Sequence, residues 1–167
     1  MSDVTIRRAR ADELDEVGRL TLAAYRAGGY FEDGAETDYA RQLANAADRA
    51  AHGEVLVAVR TDGEIVGSLA VVEPGSRYSE VSRPGELEFR MLAVAPTAQG
   101  QGVGEALTRA VIERAVERGL ARVVLCTMRS MRGPQRLYLR LGFVREPARD
   151  WLPHPTVDLI AFRLDLP

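Results

Sequence analysis

Lysine is absent from this chain of 167 residues, cysteine occurs once and histidine twice. All 22 basic residues are therefore arginine, which we ascribe to the codon bias of a GC-rich genome rather than to a role of arginine itself. The single Cys126 excludes a disulfide within the chain and fits a reducing cytoplasm. His52 and His154 are too few and too scattered for the ligand spacing of a metal site, so we expect no metal.

Long apolar runs and a strong net charge are also missing. The chain is 46% hydrophobic and 28% charged, with a net charge of −2, which predicts one domain over residues 1–167 with its own core. Its apolar runs are far too short to cross a bilayer, and its start, Met-Ser-Asp, lacks the basic and apolar segments of a signal peptide. We therefore expect a cytoplasmic protein that binds neither membranes nor nucleic acid.

Hydrophobic periodicity and turn residues predict the element order βααβββαβαββ. That order indicates an α/β (α+β) layer with a mixed, largely antiparallel sheet. Strands are expected at 4–10, 54–60, 64–72, 86–94, 122–127, 143–145 and 157–164. Helices are expected from Asp12 to Gly28, at about 36–51, at 103–118 and from Pro134 to Gly142, and the polar segment 74–85 is expected to be a surface loop that borders the active site.

The most informative segment is Gln-Gly-Gln-Gly-Val-Gly at 99–104, between an apolar strand pattern and a long amphipathic helix pattern. Glycine allows a sharp turn at positive φ and removes the Cβ atoms that would hold an anion away from backbone N–H groups. The N-terminus of a helix adds unpaired donors and a partial positive charge. The segment therefore predicts a pyrophosphate site that needs no lysine.

Two other phosphate loops that connect a strand to a helix do not fit the segment. A P-loop requires Gly-Lys-Ser/Thr, and the chain has no lysine. The dinucleotide fingerprint requires Gly-x-Gly-x-x-Gly near the start of a βαβ unit, whereas here Gly-x-Gly-x-Gly follows about 100 residues of unrelated pattern. A nucleotide-binding protein is thus a weaker possibility.

Three ordered motifs instead resemble the GNAT superfamily of acyl-CoA-dependent N-acyltransferases. Gln99, Gly102 and Gly104 fit its Gln/Arg-x-x-Gly-x-Gly/Ala loop, the segment 91–96 resembles its strand ending in Val-x-Pro, and the segment 137–143 is similar to its Leu-Tyr-x-x-x-Gly-Phe signature. The resemblance implies the GNAT fold, a central sheet of about seven strands flanked by about four helices. It also implies acetyl-CoA as the cosubstrate.

The resemblance implies which residues hold the coenzyme and which act on the acetyl group. The coenzyme-binding residues would be Leu92, Ala93, Val94, Gln99, Gly100, Gln101, Gly102, Val103, Gly104 and Glu105. Glu88, eleven residues before Gln99, would be the base that deprotonates an amine, directly or through water, and Tyr138 the acid that protonates the thiolate. A backbone N–H between Leu92 and Val94, where the two central strands diverge, would stabilise the oxyanion.

Each of these roles has a plainer alternative. Glu88 and its neighbour Glu86 can simply be solvated or paired with arginine, and Tyr138 can be a packing residue. Met131 occupies the position, seven residues before this tyrosine, at which many members carry asparagine. We expect Cys126 to be a packing residue rather than a nucleophile.

The expected reaction is direct acetyl transfer from acetyl-CoA to a primary amine, with a small molecule favoured over a peptide N-terminus. Trp151 and Tyr30 are candidates for the wall of the acceptor pocket, and four acidic residues hint at a cationic amine: Glu32, Asp33, Glu36 and Asp38. The alternative is a non-catalytic acyl-CoA-binding sensor or accessory module. A homodimer through the apolar run 159–162 is also expected.

Overall fold

The computed structural model describes residues 3–30, 38–155 and 157–167, which form an eight-stranded sheet with helices on both faces. The strands are β1 (Val4–Arg8), β2 (Glu54–Arg60), β3 (Ile65–Val72), β4 (Glu86–Val94), β5 (Arg122–Met128), β6 (Val144–Arg145), β7 (Trp151–His154) and β8 (Val157–Asp165). The helices are α1 (Leu14–Ala27), α2 (Asp38–Ala44), α3 (Ala46–His52), α4 (Val103–Glu117) and α5 (Arg132–Arg140). The predicted mixed α/β architecture is confirmed.

The strands follow the order β1-β2-β3-β4-β5-β8-β6, and β7 also pairs with β8. Every described pair is antiparallel except β4 with β5. That parallel pair lies in the middle of the sheet, and α4 supplies the crossover that a parallel connection requires. The sheet is therefore mixed and largely antiparallel, as expected.

Apolar clusters fill the space between the sheet and the helices on each face. On one face, Leu107 and Val111 of α4 pack with Leu87 and Phe89 of β4. On the other face, a cluster around Leu43 and a second one around Val17 join α1, α2 and α3 to the sheet. Burial of apolar surface on both sides fixes the positions of the strands, and with them the residues at their ends.

The helices α1 and α2 approach so closely that one position in α1 must be glycine. A Cβ atom added to Gly18 would lie 2.0 Å from the carbonyl oxygen of Ala44, the last residue of α2. That carbonyl belongs to backbone and cannot move aside as a flexible side chain would. The absence of a side chain at Gly18 therefore allows the end of α2 to lie directly against α1.

Two elements differ from the prediction. The single helix expected at 36–51 is broken at Asn45, whose side chain accepts a hydrogen bond from the N–H of Asp48 at 3.1 Å and caps α3. The strand β7 was not predicted, because it is only four residues long, contains Pro153 and pairs with a single neighbour. The ends of the other described elements lie within about three residues of their predicted positions.

Candidate active site

The strand β4 contains a bulge that changes which face its side chains point to. Ser68 and Ala70 of β3 are two residues apart, whereas their partners Ala93 and Arg90 on β4 are three residues apart. The extra residue is accommodated at Met91, whose φ of 57° is left-handed and rare for a residue other than glycine. Arg90 and Met91 therefore lie on the same face of the sheet.

Just before this bulge β4 separates from β5. Only three pairs join the two strands, and the last is Glu88 with Val124. After that pair, β5 continues to Met128 alongside β8, while β4 continues to Val94 alongside β3. We call the gap between the two diverging strands the split. It confirms the expectation that the two central strands diverge near Leu92 to Val94.

The glycine loop lies at the far end of β4 and starts α4. Gly100 and Gly102 have φ values of 76° and 79°, and Gly102 is the N-cap of α4, with no side chain bonded to the helix N-terminus. The side chain of Gln99 donates a hydrogen bond to the carbonyl of Val94 at 3.0 Å and so holds the loop against the end of the strand. The N–H groups of the first turn thus begin directly beside the split.

The segments assigned to the coenzyme come together in the structure. A Cβ atom added to Gly104 would lie 3.3 Å from Leu137 of α5 and within 4 Å of Val94 and Leu92. Of the remaining residues, Ala93 and Val103 are buried, Gln101 accepts a hydrogen bond from Arg60 at 2.7 Å, and Glu105 lies 3.3 Å from Arg109 and 3.6 Å from Arg140. These contacts leave coenzyme binding by the ten residues a prediction.

Tyr138 reaches the split from the α4 face. Its ring packs among aromatic rings, with centroids 5.8 Å from Phe89, 5.8 Å from Phe143 and 6.0 Å from Phe162. Its phenol interacts electrostatically with Tyr25, near the end of α1, and with Tyr30, which follows that helix on the opposite face. The hydroxyl therefore points toward the split. Burial raises the pKa of Tyr138 well above its ordinary value, so the phenol keeps its proton.

Glu86 lies at the start of β4, where this strand is still paired with β5, and its carboxylate forms ion pairs with two arginines. Arg149 contacts both carboxylate oxygens, at 2.7 and 2.8 Å, and Arg122 contacts one at 3.0 Å. Burial alone would raise the pKa of Glu86, but these hydrogen bonds and one from the N–H of Arg83 outweigh it and lower the pKa to about 2. Arginine pairing, one of the alternatives considered for Glu86, is what the structure shows.

Glu88 is fully buried and holds the β3–β4 loop (residues 73–85) over the sheet. Its carboxylate accepts hydrogen bonds from the N–H groups of Glu80, Val81 and Ser82 at 3.1 to 3.3 Å and from the hydroxyl of Ser79 at 3.2 Å. Both oxygens are engaged with the protein. The contacts give Glu88 a structural role, and its assignment as the base stays a prediction.

Glu80, within this loop, is a second carboxylate near the split that the sequence did not single out. One oxygen lies 2.8 Å from Nε of Arg90, and the side chain is 12% exposed. Burial raises the pKa of Glu80, the charge of Arg90 lowers it and that of Glu88 raises it, with a result of about 7. No periodicity marks Glu80 or Arg90; the only signal was that the loop was expected to border the active site.

A family model provides the comparison that decides the assignment. It describes the Acetyltransferase (GNAT) family and matches residues 15–143, well over half of the chain. The chain belongs to this family. The match includes the glycine loop, the split and Tyr138.

Relatives and solved structures agree with the family. A mycothiol acetyltransferase from Paenarthrobacter aurescens (strain TC1) is 32% identical over 139 residues, which cover 83% of this chain and 42% of that protein. The chain spans less than half the length of the mycothiol acetyltransferases it matches. An acetyltransferase of the GNAT family from Staphylococcus aureus Mu50 superposes with a TM-score of 0.76 at 16% identity, covering 98% of this chain and 99% of that one.

A second solved structure includes ligands. A spermidine N-acetyltransferase from Vibrio cholerae, in complex with CoA and spermine, has a TM-score of 0.67 at 18% identity and covers 98% of this chain and 95% of its own. At this identity the likeness establishes the fold alone. It shows that the family fold extends over nearly the whole chain, including the segments outside residues 15–143.

The residues expected to form the wall of the acceptor pocket lie on the side of the sheet that α1 covers, which we call the α1 face. The ring of Tyr30 packs edge-on against Tyr25, with 5.9 Å between centroids. Trp151 is 39% exposed, and its indole group lowers the pKa of the nearby Cys126 thiol. Burial, with the charge of Glu80, raises the pKa of Cys126 to about 12, so the thiol stays protonated. This supports packing rather than nucleophilic chemistry for Cys126.

Several other expectations concern residues around the split. Met131 is buried, and its sulfur lies 3.6 Å from the hydroxyl of Thr127, so it fills the asparagine position as an apolar residue.

Glu32, Asp33 and Glu36 lie outside the described residues, while Asp38 is exposed and pairs with Arg41. Among residues 3–30, 38–155 and 157–167, no group of three His, Cys, Asp or Glu side chains could hold a metal ion.

Two expectations about surfaces can be compared with the fold. The run 159–162 is buried inside one chain between β5 and its neighbours β6 and β7, so it offers no free face for the expected dimer. Dimerisation stays a prediction without that support. None of the described helices is both long and apolar enough to span a membrane.

Proposed function

We propose that the protein transfers an acetyl group from acetyl-CoA to a primary amine by direct attack in a ternary complex. The observation that carries the proposal is the split, with the glycine loop and the N-terminus of α4 at the end of β4 and the hydroxyl of Tyr138 pointing into the gap. A thioester could therefore reach the gap from the loop, and an amine could meet it from the other face.

The loop fits the pyrophosphate of the coenzyme on its own geometry. Gly102 is left-handed at the N-cap, and Gly104 has no room for a large side chain beside Leu137. Backbone N–H groups and the partial positive charge of a 15-residue helix would bind the two phosphates. The segment Leu92 to Val94 would lie along the pantetheine arm and supply an N–H to the oxyanion.

The remaining steps are proton transfers. The amine must lose a proton before it attacks, and the thiolate that leaves must gain one. Tyr138 suits the second step, because its buried phenol remains protonated at neutral pH. For the first step, two carboxylates are candidates: Glu88, which the sequence suggested, and Glu80 of the β3–β4 loop.

A small amine is the acceptor we favour over a peptide N-terminus. The spermidine N-acetyltransferase that shares the fold is named for a small polyamine. On the acceptor face, the β3–β4 loop and the aromatic residues Tyr25, Tyr30 and Tyr39 crowd the approach to the split. A compact amine would enter this space more readily than a chain terminus flanked by further residues.

Thermal unfolding with and without acetyl-CoA tests coenzyme binding. Acetyl-CoA should raise the transition temperature, whereas ATP and NAD at the same concentration should not. Gly102→Val should abolish the rise. Gly119→Val is the matched control, because Gly119 is also left-handed, with a φ of 67°, but follows the opposite end of α4. The control should lose stability through the same backbone strain and keep the rise.

Release of free thiol from acetyl-CoA tests transfer. We expect release that depends on an added primary amine, in a panel that contains spermine and 2-phenylethylamine. An absent temperature rise with acetyl-CoA would overturn the proposal as a whole. A rise without thiol release from any amine would favour the acyl-CoA-binding module instead.

A further inference from the structure

The β3–β4 loop brings an acidic side chain over the split from a part of the chain distant in sequence from the glycine loop. Within this loop Glu80 lies beside two strands at once. It contacts Arg90 of β4 at 2.8 Å and interacts electrostatically with Cys126 of β5. Arg90 and Cys126 each lie two residues beyond the last pair that joins β4 and β5. Glu80 therefore sits at the point where the split opens.

The loop is fixed in this position by bonds that do not involve the carboxylate of Glu80. The backbone N–H of Glu80 bonds to both oxygens of Glu88 at 3.1 Å. Arg149 donates to the carbonyl of Val81 at 3.1 Å, and Arg90 donates to that of Tyr78 at 3.2 Å. A side chain held on such a supported backbone is preorganised for chemistry.

The two carboxylates of this region differ in what their oxygens can do. Glu88 uses both oxygens to accept N–H groups of the loop and is fully buried. For Glu80, the contact recorded among the described residues is with Arg90, through a single oxygen. Among the described residues, the second oxygen of Glu80 is thus available for a substrate proton, whereas both oxygens of Glu88 are occupied by the bonds that hold the loop.

The charges around Glu80 suit proton transfer near neutral pH. The ionisable groups that interact with it are Arg90 and Glu88 on β4, Cys126 on β5 and Tyr39 on α2. Burial and the charge of Glu88 favour its neutral form, and Arg90 favours the charged form. A general base is most effective when its pKa lies near the working pH.

We propose that Glu80 takes the proton of the acceptor's ammonium group, with Arg90 as the positioning residue that aims its carboxylate. The inference rests on the proposed acetyl transfer. One N–H bond of the ammonium breaks, and its proton moves to the carboxylate of Glu80 and then to solvent. The freed lone pair forms the C–N bond as the C–S bond breaks, and sulfur takes a second proton from the same nitrogen, relayed by Tyr138.

The test compares Glu80→Gln with Glu73→Gln in the thiol-release assay, with spermine and 2-phenylethylamine as acceptors from pH 5.5 to 9. Glu73 is in the same loop but exposed, and its side chain lies 3.3 Å from Arg118. We expect kcat/KM of the wild type to rise with pH through about 7. Glu80→Gln should lower kcat/KM at pH 7 by about 10² to 10⁴-fold and remove that rise. Glu73→Gln should retain both.

The acetyl-CoA temperature rise separates the two proposals. Glu80→Gln should keep that rise, because the glycine loop is unaltered. If it is absent in the wild type, acetyl transfer fails as a function. If it is present and Glu80→Gln keeps activity within threefold or keeps the pH dependence, the role of Glu80 is overturned. Loss of the pH dependence in Glu88→Gln, and not in Glu80→Gln, would return the role to Glu88.

A titration that needs no acceptor completes the test. The carboxyl carbons of glutamate can be followed by ¹³C NMR in labelled protein as the pH changes. One resonance should titrate near pH 7 and should be missing in Glu80→Gln. The resonance of Glu80 is the one that is present in the wild type and absent in Glu80→Gln. If that resonance does not titrate between pH 6 and 8, Glu80 is an ordinary ion-pair partner of Arg90 and the inference fails.

Discussion

The two faces of the sheet approach the split in different ways. On the α4 face, the proposed coenzyme site is built from backbone: left-handed glycines, a helix N-terminus and the end of β4, all within residues 91–105. On the α1 face, the proposed acceptor site is built from side chains of α1, α2, the β3–β4 loop, β5 and β7. One side is local in sequence and the other is assembled from distant segments.

This difference shows what each side demands of the sequence. A pyrophosphate is a constant ligand, and a fixed set of N–H donors binds it with whatever side chains the loop carries, provided that glycine stands at the turns. An acceptor varies between enzymes, so its pocket depends on side chains whose positions are set by packing. Variants on the α1 face should therefore change stability and the use of the amine while leaving coenzyme affinity unaltered.

Removal of Arg149 should give the largest effect. Its guanidinium pairs with Glu86 through two hydrogen bonds and also donates to the β3–β4 loop. Arg149→Ala leaves a buried carboxylate with Arg122 and the backbone N–H of Arg83 as its remaining partners, and breaking such a buried pair costs about 3 to 5 kcal/mol. Urea unfolding should report a loss of this size. The acetyl-CoA temperature rise should persist, since the glycine loop is remote from this pair.

Arg145→Ala is the control for this variant. Arg145 also makes a two-bond pair, with Asp150 at 2.7 and 2.8 Å, but its side chain is 31% exposed. We expect a loss of about 1 kcal/mol or less there, because solvent screens the pair. Equal losses in both variants would show that burial does not set the strength of these pairs.

Acid should weaken the α1 face through Glu86. Its pKa is lowered from 4.5 to about 2, so its contribution is present above about pH 4.5 and is lost as the pH falls toward 2. The difference corresponds to about 3 kcal/mol. For Glu80 the sign is opposite: its raised pKa means that its contribution is present below about 4.5 and is lost as the pH rises through about 7.

The free energy of unfolding measured by urea at pH 6, 4.5, 3.5 and 2.5 checks this expectation. In the wild type it should decline between pH 4.5 and 2.5, and the decline should be shallower in Glu86→Gln. Parallel declines in the two proteins would assign the acid sensitivity to other carboxylates.

Tyr138→Phe should separate turnover from binding on the α4 face. The substitution keeps a ring among Phe89, Phe143 and Phe162 and removes only the hydroxyl that points toward the split. Turnover should fall by about 10²-fold, with little change in the affinity for acetyl-CoA. Tyr78→Phe is the control, because that hydroxyl bonds to Asp48 instead, and its turnover should stay within threefold. Equal turnover in Tyr138→Phe and the wild type would leave the tyrosine a packing residue.

The coenzyme side could be predicted from the sequence because its geometry is local. The glycines at 100 and 102 indicated the turn and the start of the helix, and the structure has left-handed φ values at both. The close approach of Gly104 to Leu137 of α5 was not predicted. The order of the elements was predictable for the same reason, since hydrophobic periodicity reports which face of each element is buried.

The acceptor side could not be predicted, because its chemistry depends on pairing between distant residues. In the sequence, Glu86 and Glu88 alternate with apolar residues, as polar residues on the solvent side of a strand do. Only the fold shows that Glu86 meets Arg149 and that Glu88 meets the N–H groups of a loop. Glu80 and Arg90 are ten residues apart and meet only because the loop turns back over β4. The bulge at Met91 also carries no sequence signal, since its left-handed φ falls on an ordinary residue.

Asn45→Ala should have the smallest effect and tests whether the helices of the α1 face are independent of the coenzyme site. The side chain of Asn45 caps α3 through the N–H of Asp48, and loss of such a cap costs about 1 kcal/mol. Asn45→Asp should keep the stability, because a carboxylate accepts the same bond.

Urea midpoints of the three proteins give the comparison. An alanine variant as stable as the wild type would show that the break between α2 and α3 is held by packing at Gly18 instead. Since Asn45 is far along the chain from the glycine loop, the acetyl-CoA temperature rise should be the same in all three proteins; a change in it would mean that the two sides of the split are coupled.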